Sequence, residues 1–217
     1  MYNKGIMKQP MKFLLMGANV FVFLFIYLRF GFVDANFYAT YGGLYPPAVE
    51  AGEWWRLFTC GFLHANSYHL FNNMVMLFAA GAYVEKALKT PKFTLLYFGS
   101  LLGASLVSFF YGRNLLGFVS IGASGAVFGL IGALLFIVLR HKGRYERLSV
   151  RGMIFMLALS VYYGFASGGT DNAAHIGGAV TGFLLAFLLY RPAKTVPSVK
   201  EKQTPRLQNG SDPWDEA

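Results

Sequence analysis

A serine stands between small residues where a polar loop gives way to an apolar helix, in the sequence Gly122-Ala123-Ser124-Gly125. The first N–H groups of a helix have no partner within it, and they lie at the positive end of the helix dipole. Such groups stabilise an oxyanion, so the position suits a nucleophile in acyl transfer. The flanking glycines, Gly122 and Gly125, would let a substrate backbone approach closely. The competing interpretation is a packing serine bonded to a carbonyl one turn back.

Three polar side chains in other apolar segments would complete this chemistry. A histidine beside Ser124, such as His175, would act as general base and then protonate the leaving amine. His69 and Asn73 lie one helical turn apart and share a face, so their donors would add to an oxyanion hole. The alternatives are a histidine bonded to a loop carbonyl and an interhelical hydrogen bond that only stabilises the bundle.

Small residues line one face of each helix that must bring Ser124 and His175 together, and such faces allow helix backbones to approach. If the two faces pack, Ser124 and His175 lie at the same depth. Phe128, one turn below Ser124, would then form an apolar shelf under the imidazole, although by pattern alone it is a core phenylalanine. The faces consist of Gly125, Gly129, Gly132 and Ala133 on one helix, and of Ala174, Gly178 and Gly182 on the other.

No acidic residue completes a catalytic triad by pattern. Asp171 precedes His175 by four residues, and we expect it to form a solvated turn or a helix cap. We therefore predict a Ser/His dyad and expect Asp171→Asn to leave most of the activity. His64 is assigned to the outer rim, with a structural role.

The composition places these residues in a membrane. Of 217 residues, 55% are hydrophobic and 13% are charged, whereas soluble domains have roughly 25% charged residues. The net charge of +9 comes from lysines and arginines spread over short loops, which argues against a nucleic-acid partner. The single cysteine, Cys60, excludes an intramolecular disulfide, and no Cys/His cluster has zinc spacing. We expect neither a metal nor an organic cofactor.

Six apolar segments predict an all-α membrane protein, a six-transmembrane-helix bundle with a long structured first outer loop. The first segment exceeds the usual apolar core of a signal peptide, which is the alternative interpretation. Residues 1–12 would form an N-terminal segment, 13–191 the bundle, and 192–217 a polar tail predicted to be disordered. The predicted spans are 13–30, 68–84, 93–110, 124–139, 153–166 and 173–190, with a basic turn at 85–92.

The basic residues lie mostly on one side of these spans. An even number of spans puts both termini on that side, and the positive-inside rule makes it cytoplasmic. Ser124 and His175 then begin their helices at the outer face. The outer side has only Arg29, Arg56 and Arg113, and the cytoplasmic side has Lys4, Lys8, Lys12, Lys86, Lys89, Lys92, Arg140, Lys142, Arg144, Arg147, Arg151, Arg191, Lys194, Lys200, Lys202 and Arg206.

Over roughly residues 13–191 the chain resembles the rhomboid family of intramembrane serine proteases. The resemblance rests on four motifs at matching helix positions. They are Gly122-x-Ser124-Gly125, Ala174-His175-x-x-Gly178-x-x-x-Gly182, His69-x-x-x-Asn73, and Trp55-Arg56 in the long first loop.

The resemblance implies a role for each matching residue. Ser124 would be the nucleophile and His175 the base. His69, Asn73 and the Ser124 backbone N–H would form the oxyanion hole, and Gly122 would belong to the same site. The fifth helix and the loop before the sixth would act as gate and cap for substrate.

The resemblance also assigns Trp55 and Arg56 to a lateral loop that helps to stabilise the fold. Two positions depart from the family pattern. Phe128 stands where some relatives have tyrosine, which keeps a ring under His175 and loses a hydroxyl. Cys60 stands where some have histidine, and we expect little effect.

The implied function is hydrolysis of a peptide bond in or beside the transmembrane segment of a membrane-protein substrate, in the plasma (inner) membrane of a bacterium. Substrates should have small or helix-breaking residues near their outer end, because helical carbonyls are hidden in hydrogen bonds. A zinc protease would need His-Glu-x-x-His, which is absent, and an aspartyl protease would need paired intramembrane aspartates. A non-catalytic rhomboid-like protein that binds transmembrane clients, or a small transporter, remains open. The aspartates all fall in loops or tail: Asp34, Asp171, Asp212 and Asp215.

Overall fold

Six long helices coincide with the six apolar segments. The computed structural model describes residues 9–167 and 170–192, so most of the predicted N-terminal segment and the predicted disordered tail from residue 193 lie outside the described residues. The prediction of a mostly helical chain is confirmed. The long helices are α1 (Pro10–Phe30), α5 (Ser67–Leu88), α6 (Thr90–Gly112), α7 (Ser124–Arg140), α8 (Val150–Ser167) and α9 (Asn172–Leu189).

Three of the described helices, α1, α6 and α9, are both long and apolar enough to cross a membrane. α7 is apolar but shorter, with 17 residues. Large apolar side chains remain exposed on the outside of the bundle, where lipid would cover them: Phe21, Leu28, Phe155 and Phe187 are each at least 61% exposed.

The connection between α1 and α5 has structure of its own. It contains α2 (Ala35–Tyr41), α3 (Pro46–Glu50), α4 (Arg56–Thr59) and a 3-10 turn (Cys60–Phe62). Arg56 holds this loop together, because its buried guanidinium donates hydrogen bonds of 2.8 to 3.1 Å to three backbone carbonyls. The Trp55 ring lies 4.9 Å from the guanidinium carbon. The carbonyls belong to Ala39, Thr40 and Gly43.

The predicted basic turn at 85–92 is wrong in extent, because α5 continues to Leu88 and α6 begins at Thr90. Only Lys89, with φ 67°, separates the two helices. The polar residues looked like a loop, but the Glu85 carboxylate is buried and accepts hydrogen bonds from the first N–H groups of α1, at Met11 and Lys12. A helix N-terminus is therefore capped by a residue distant in sequence.

The loop between α7 and α8 contains a small hairpin that the sequence did not indicate. Its strands, β1 (Arg144–Tyr145) and β2 (Leu148–Ser149), pair antiparallel. The hairpin lies at the end of the bundle opposite Ser124, since it follows the last residue of α7.

α7 lies at the centre of the bundle and positions the site. Every α7 residue from Gly125 to Val138 except Leu135 is buried. α5, α6 and α9 surround it, while α8 packs less extensively against α7 and α9. A helix that is apolar all round belongs in the interior of a bundle, so Ser124 is held at the end of its most enclosed element.

Candidate active site

The segment that leads into α7 is fixed by the first loop. Ser120 pairs with Leu44 through two backbone hydrogen bonds of 2.9 and 3.0 Å. The Gly122 N–H donates to the Cys60 carbonyl at 2.9 Å. Ser124 then opens the helix, so its backbone position is set on both sides.

Gly122 lies directly against His69 and Asn73. A Cβ added at Gly122 would lie 2.8 Å from both Cε1 and Nε2 of His69 and 3.7 Å from Nδ2 of Asn73. Gly122 also has φ +125°, a conformation that favours glycine. Both predicted oxyanion-hole side chains therefore face the turn in front of Ser124.

The Asn73 amide nitrogen is buried next to Gly122. Asn73 is 6% exposed, and its Nδ2 has no hydrogen-bond acceptor within the described residues. Burying an unpaired amide costs free energy, on the order of 1–3 kcal/mol in proteins. An acceptor supplied by a substrate at this place would recover that cost.

His175 is the fourth residue of α9 and stacks on Phe128 of α7. The ring centroids are 4.0 Å apart and the planes differ by 7°. The histidine is buried, and its Nδ1 has no hydrogen-bond partner among the residues described. Stacking therefore holds the plane of the imidazole, since no hydrogen bond to that nitrogen does.

Glycines bring α7 and α9 into backbone contact. A Cβ at Gly178 would fall on the Gly125 carbonyl, and a Cβ at Gly182 would fall on the Gly129 carbonyl. One turn further along, a Cβ at Gly132 would meet the carbonyl of Ala179. No larger side chain fits at these positions, so the two helices are locked at close range.

Ser124 and His175 lie at the same end of this helix pair. Gly125, next to Ser124, lies beside Ala174, next to His175: a Cβ added at Gly125 would be 3.7 Å from the Ala174 carbonyl oxygen. Within the described residues, no hydrogen bond joins the Ser124 hydroxyl to the imidazole. Catalytic hydrogen bonds in a site without substrate are often long and tighten on binding.

Asp171 caps α9, as expected, and its carboxylate also makes hydrogen bonds to other segments. One carboxylate oxygen accepts the Ala174 N–H at 2.9 Å, and the other accepts the hydroxyls of Ser120, at 2.6 Å, and of Ser108. The carboxylate is half-buried between α6, α9 and the segment before α7. Sequence reasoning missed both serines, because the contacts join residues 51 and 63 positions apart.

His64, which the sequence assigned to the outer rim with a structural role, is fully buried. It is 1% exposed, and its ring packs edge-on against His69 with centroids 5.0 Å apart. Burial and the neighbouring His69 lower the pKa of His64 to about 3. The His64 imidazole that packs against His69 is therefore neutral near pH 7.

Two further features concern what the site can hold. An apolar cavity of about 370 Å³ adjoins His175 and Phe128 between α8 and α9. In the part of the chain that the structure describes, no group of three or more His, Cys, Asp or Glu residues is placed to hold a metal ion.

Trp55 and Arg56 lie in the first loop, where the Arg56 hydrogen bonds go to other loop residues.

Residues 51–192 match the sequence model of a protein family, the Rhomboid domain. The matched residues include α5 to α9 and all the residues of the candidate site. This chain belongs to the rhomboid family. It is accordingly an integral membrane protein, in agreement with its apolar helices.

Individual relatives in the rhomboid family agree. The chain is 30% identical over 185 residues to Rhomboid protease GluP of Bacillus subtilis, covering 85% of this chain and 36% of the relative. It is 40% identical over 156 residues to RHOMBOID-like protein 4 of Arabidopsis thaliana, covering 70% and 39%. It is 37% identical over 144 residues to Putative rhomboid protease YdcA of Bacillus subtilis, covering 66% and 71%. The chain thus spans less than half the length of the first two relatives.

Proposed function

We propose that this rhomboid chain is an intramembrane serine endopeptidase that hydrolyses a peptide bond in or next to the transmembrane segment of membrane-protein substrates. One observation carries the proposal. The glycine contact between α7 and α9 places the start of α7 beside the first turn of α9, with the His175 ring stacked on Phe128.

In the proposed mechanism, His175 takes the proton of the Ser124 hydroxyl as the oxygen attacks the scissile carbonyl. The imidazolium then protonates the leaving amine, and an acyl-enzyme remains on Ser124. His175 next takes a proton from a water molecule, whose oxygen attacks the ester. Collapse of the second intermediate returns the proton to Ser124 and releases the new carboxyl terminus.

The oxyanion of each tetrahedral intermediate would be bound by the Ser124 N–H, Asn73 Nδ2 and the His69 ring. The buried Asn73 amide, which has no acceptor in the described part of the chain, supports this assignment. The approach of both side chains to Gly122 supports it as well. Removing one donor of this kind typically costs on the order of 100- to 1,000-fold in rate.

The proposed topology has six spans, with residues 1–12 and 192–217 cytoplasmic and the bundle at 13–191. The site then opens towards the outer face of a bacterial inner membrane, where water reaches Ser124. The positive-inside distribution of lysine and arginine supports this orientation. The lighter packing of α8 and the cavity between α8 and α9 give a substrate segment room near His175. The partners are transmembrane proteins that unwind near their outer end, and the lipid bilayer.

The test is cleavage of a transmembrane substrate by the purified chain in liposomes. The substrate has small and helix-breaking residues near its outer end, and the product is identified by mass. We expect wild type to cleave it and both Ser124→Ala and His175→Ala to leave it intact. Ser100→Ala is the matched control, because Ser100 is a buried serine of α6 that faces Gly129 of α7 rather than the site.

Two results would contradict the proposal. One is cleavage that persists in Ser124→Ala. The other is an intact, folded wild type that crosslinks to the substrate without cutting it, which would favour a non-catalytic rhomboid-like protein that binds transmembrane clients.

A further inference from the structure

We propose that Asp171 is a positioning residue, whose carboxylate sets the separation of Ser124 and His175 by tying three segments together. This inference rests on the proposed protease function and deepens it. Asp171 itself does not touch the reacting atoms.

The carboxylate joins the two halves of the site through short connections. Its Oδ1 accepts the N–H of Ala174, the residue before His175. Its Oδ2 accepts the hydroxyl of Ser120, four residues before Ser124. The path from the base to the nucleophile therefore runs through a single carboxylate and the backbone from Ser120 to Ser124.

Two further contacts anchor this path to other elements. Ser108, the second donor to Oδ2, is fully buried in α6. Ser120 is held from its other side by the backbone pairing with Leu44. The carboxylate thus fastens the N-terminus of α9 to α6 and to the segment that feeds α7, above the glycine contact that holds the helices further down.

The same hydrogen bonds distinguish Asp171 from the acid of a catalytic triad. The carboxylate of a triad acid would accept the ring Nδ1–H of His175 and so fix the tautomer of the imidazole. Here both carboxylate oxygens accept other donors, and His175 Nδ1 has no partner among the described residues. Within the described residues the carboxylate makes no hydrogen bond to the imidazole, so the effect proposed here is one of position.

Two substitutions separate the roles of cap, charge and position. Asp171→Ser keeps an N-cap acceptor, but one short hydroxyl does not reach both partner serines. Asp171→Asn also keeps the cap. Its amide nitrogen would take the place of the acceptor Oδ2 and donate to the two hydroxyls, which would then accept. Neither variant has the negative charge.

We expect Asp171→Ser to lower kcat about 10- to 100-fold with KM nearly unchanged, since misplacing a catalytic group by about 1 Å costs on the order of 100-fold. Asp171→Asn should retain most of kcat. Ser120→Ala should lower kcat as well. The double variant Asp171→Ser/Ser120→Ala should be no slower than Asp171→Ser alone, because each single substitution already breaks the linkage between Asp171 and Ser120.

Steady-state kinetics in liposomes, with thermal unfolding in detergent for each variant, decide the matter. Wild-type kcat in folded Asp171→Ser would overturn the inference and leave the protease function standing. Equal losses in Asp171→Asn and Asp171→Ser would show that the charge is needed, and would also overturn it. If Asp171→Ser does not fold, Ser120→Ala decides, because it leaves the cap intact: wild-type kcat there contradicts the linkage. No cleavage by folded wild type would instead contradict the proposed function.

Discussion

The closest backbone approach beside the site makes Gly178→Ala the most demanding test of its geometry. The added Cβ would fall on the Gly125 carbonyl oxygen and lie 2.9 Å from the carbonyl carbon, whereas ordinary van der Waals contact begins at 3.4 Å. Judged from that carbon, α7 and α9 must separate by at least half an ångström. Because Ser124 precedes Gly125 and His175 is one turn before Gly178, the separation falls directly on the dyad.

The magnitude follows from that displacement. Misplacing reacting groups by about 1 Å costs on the order of 100-fold, so a displacement of at least half that size predicts a loss of at least about tenfold in kcat. Overpacking at such a contact typically costs about 1–3 kcal/mol of stability. The free energy of unfolding should therefore fall, even though alanine is the better helix former by about 1 kcal/mol.

The assay compares Gly178→Ala with Gly17→Ala, the same substitution in α1. A Cβ at Gly17 would have nothing within 4 Å, so only the helix propensity changes there. Both variants are measured by cleavage kinetics and by unfolding in detergent. Full activity and unchanged stability in Gly178→Ala would refute the argument that the α7–α9 contact positions the dyad.

Three further predictions concern residues around the site. Arg56→Lys should lower the free energy of unfolding by about 1–3 kcal/mol, because a single ammonium does not reproduce all three carbonyl contacts and the buried Gly43 carbonyl would lose its partner. Denaturant titration checks this against exposed Arg29→Lys, and equal stability of the two variants would contradict it. Phe128→Leu should lower kcat up to about tenfold, since ring stacking on His175 is worth about 0.5–1.5 kcal/mol, whereas Phe128→Tyr should retain the wild-type kcat. Cleavage kinetics compare the two variants, and a lower kcat in Phe128→Tyr than in Phe128→Leu would show that the ring face is not used. Burial lowers the pKa of His64 to about 3 in the folded chain, whereas a histidine in the unfolded chain has a pKa of about 6.5. The unfolded chain therefore binds more protons between these values, and the free energy of unfolding should fall as the pH drops from about 6.5 towards 3, with a slope of up to about 1.4 kcal/mol per pH unit. An equal slope in His64→Gln would exclude His64 as the origin.

The positions of the long helices could be predicted because they depend on local properties. Apolar runs of nearly the length of a bilayer core gave six segments, and all six coincide with helices whose ends differ by up to four residues from those expected. The glycine faces of α7 and α9 were visible as four-residue repeats, since the repeat of a helix surface is itself local.

Contacts between distant residues could not be predicted. Glu85 looked like part of a turn because its partners at the start of α1 are 73 and 74 residues away. Asp171 looked solvated for the same reason, as its serine partners belong to α6 and to the segment before α7. A buried polar group is recognised by what surrounds it, and no single stretch of sequence contains its surroundings.

The most direct measurement of the central claim is labelling of the chain in lipid by a fluorophosphonate, a reagent that reacts with activated serines, with the modified residue located by mass spectrometry. We expect that Ser124 is labelled in wild type, that His175→Ala reduces the rate of labelling strongly, and that Ser124→Ala abolishes labelling. Absence of labelling in folded wild type, or labelling that is as fast without His175, would contradict it.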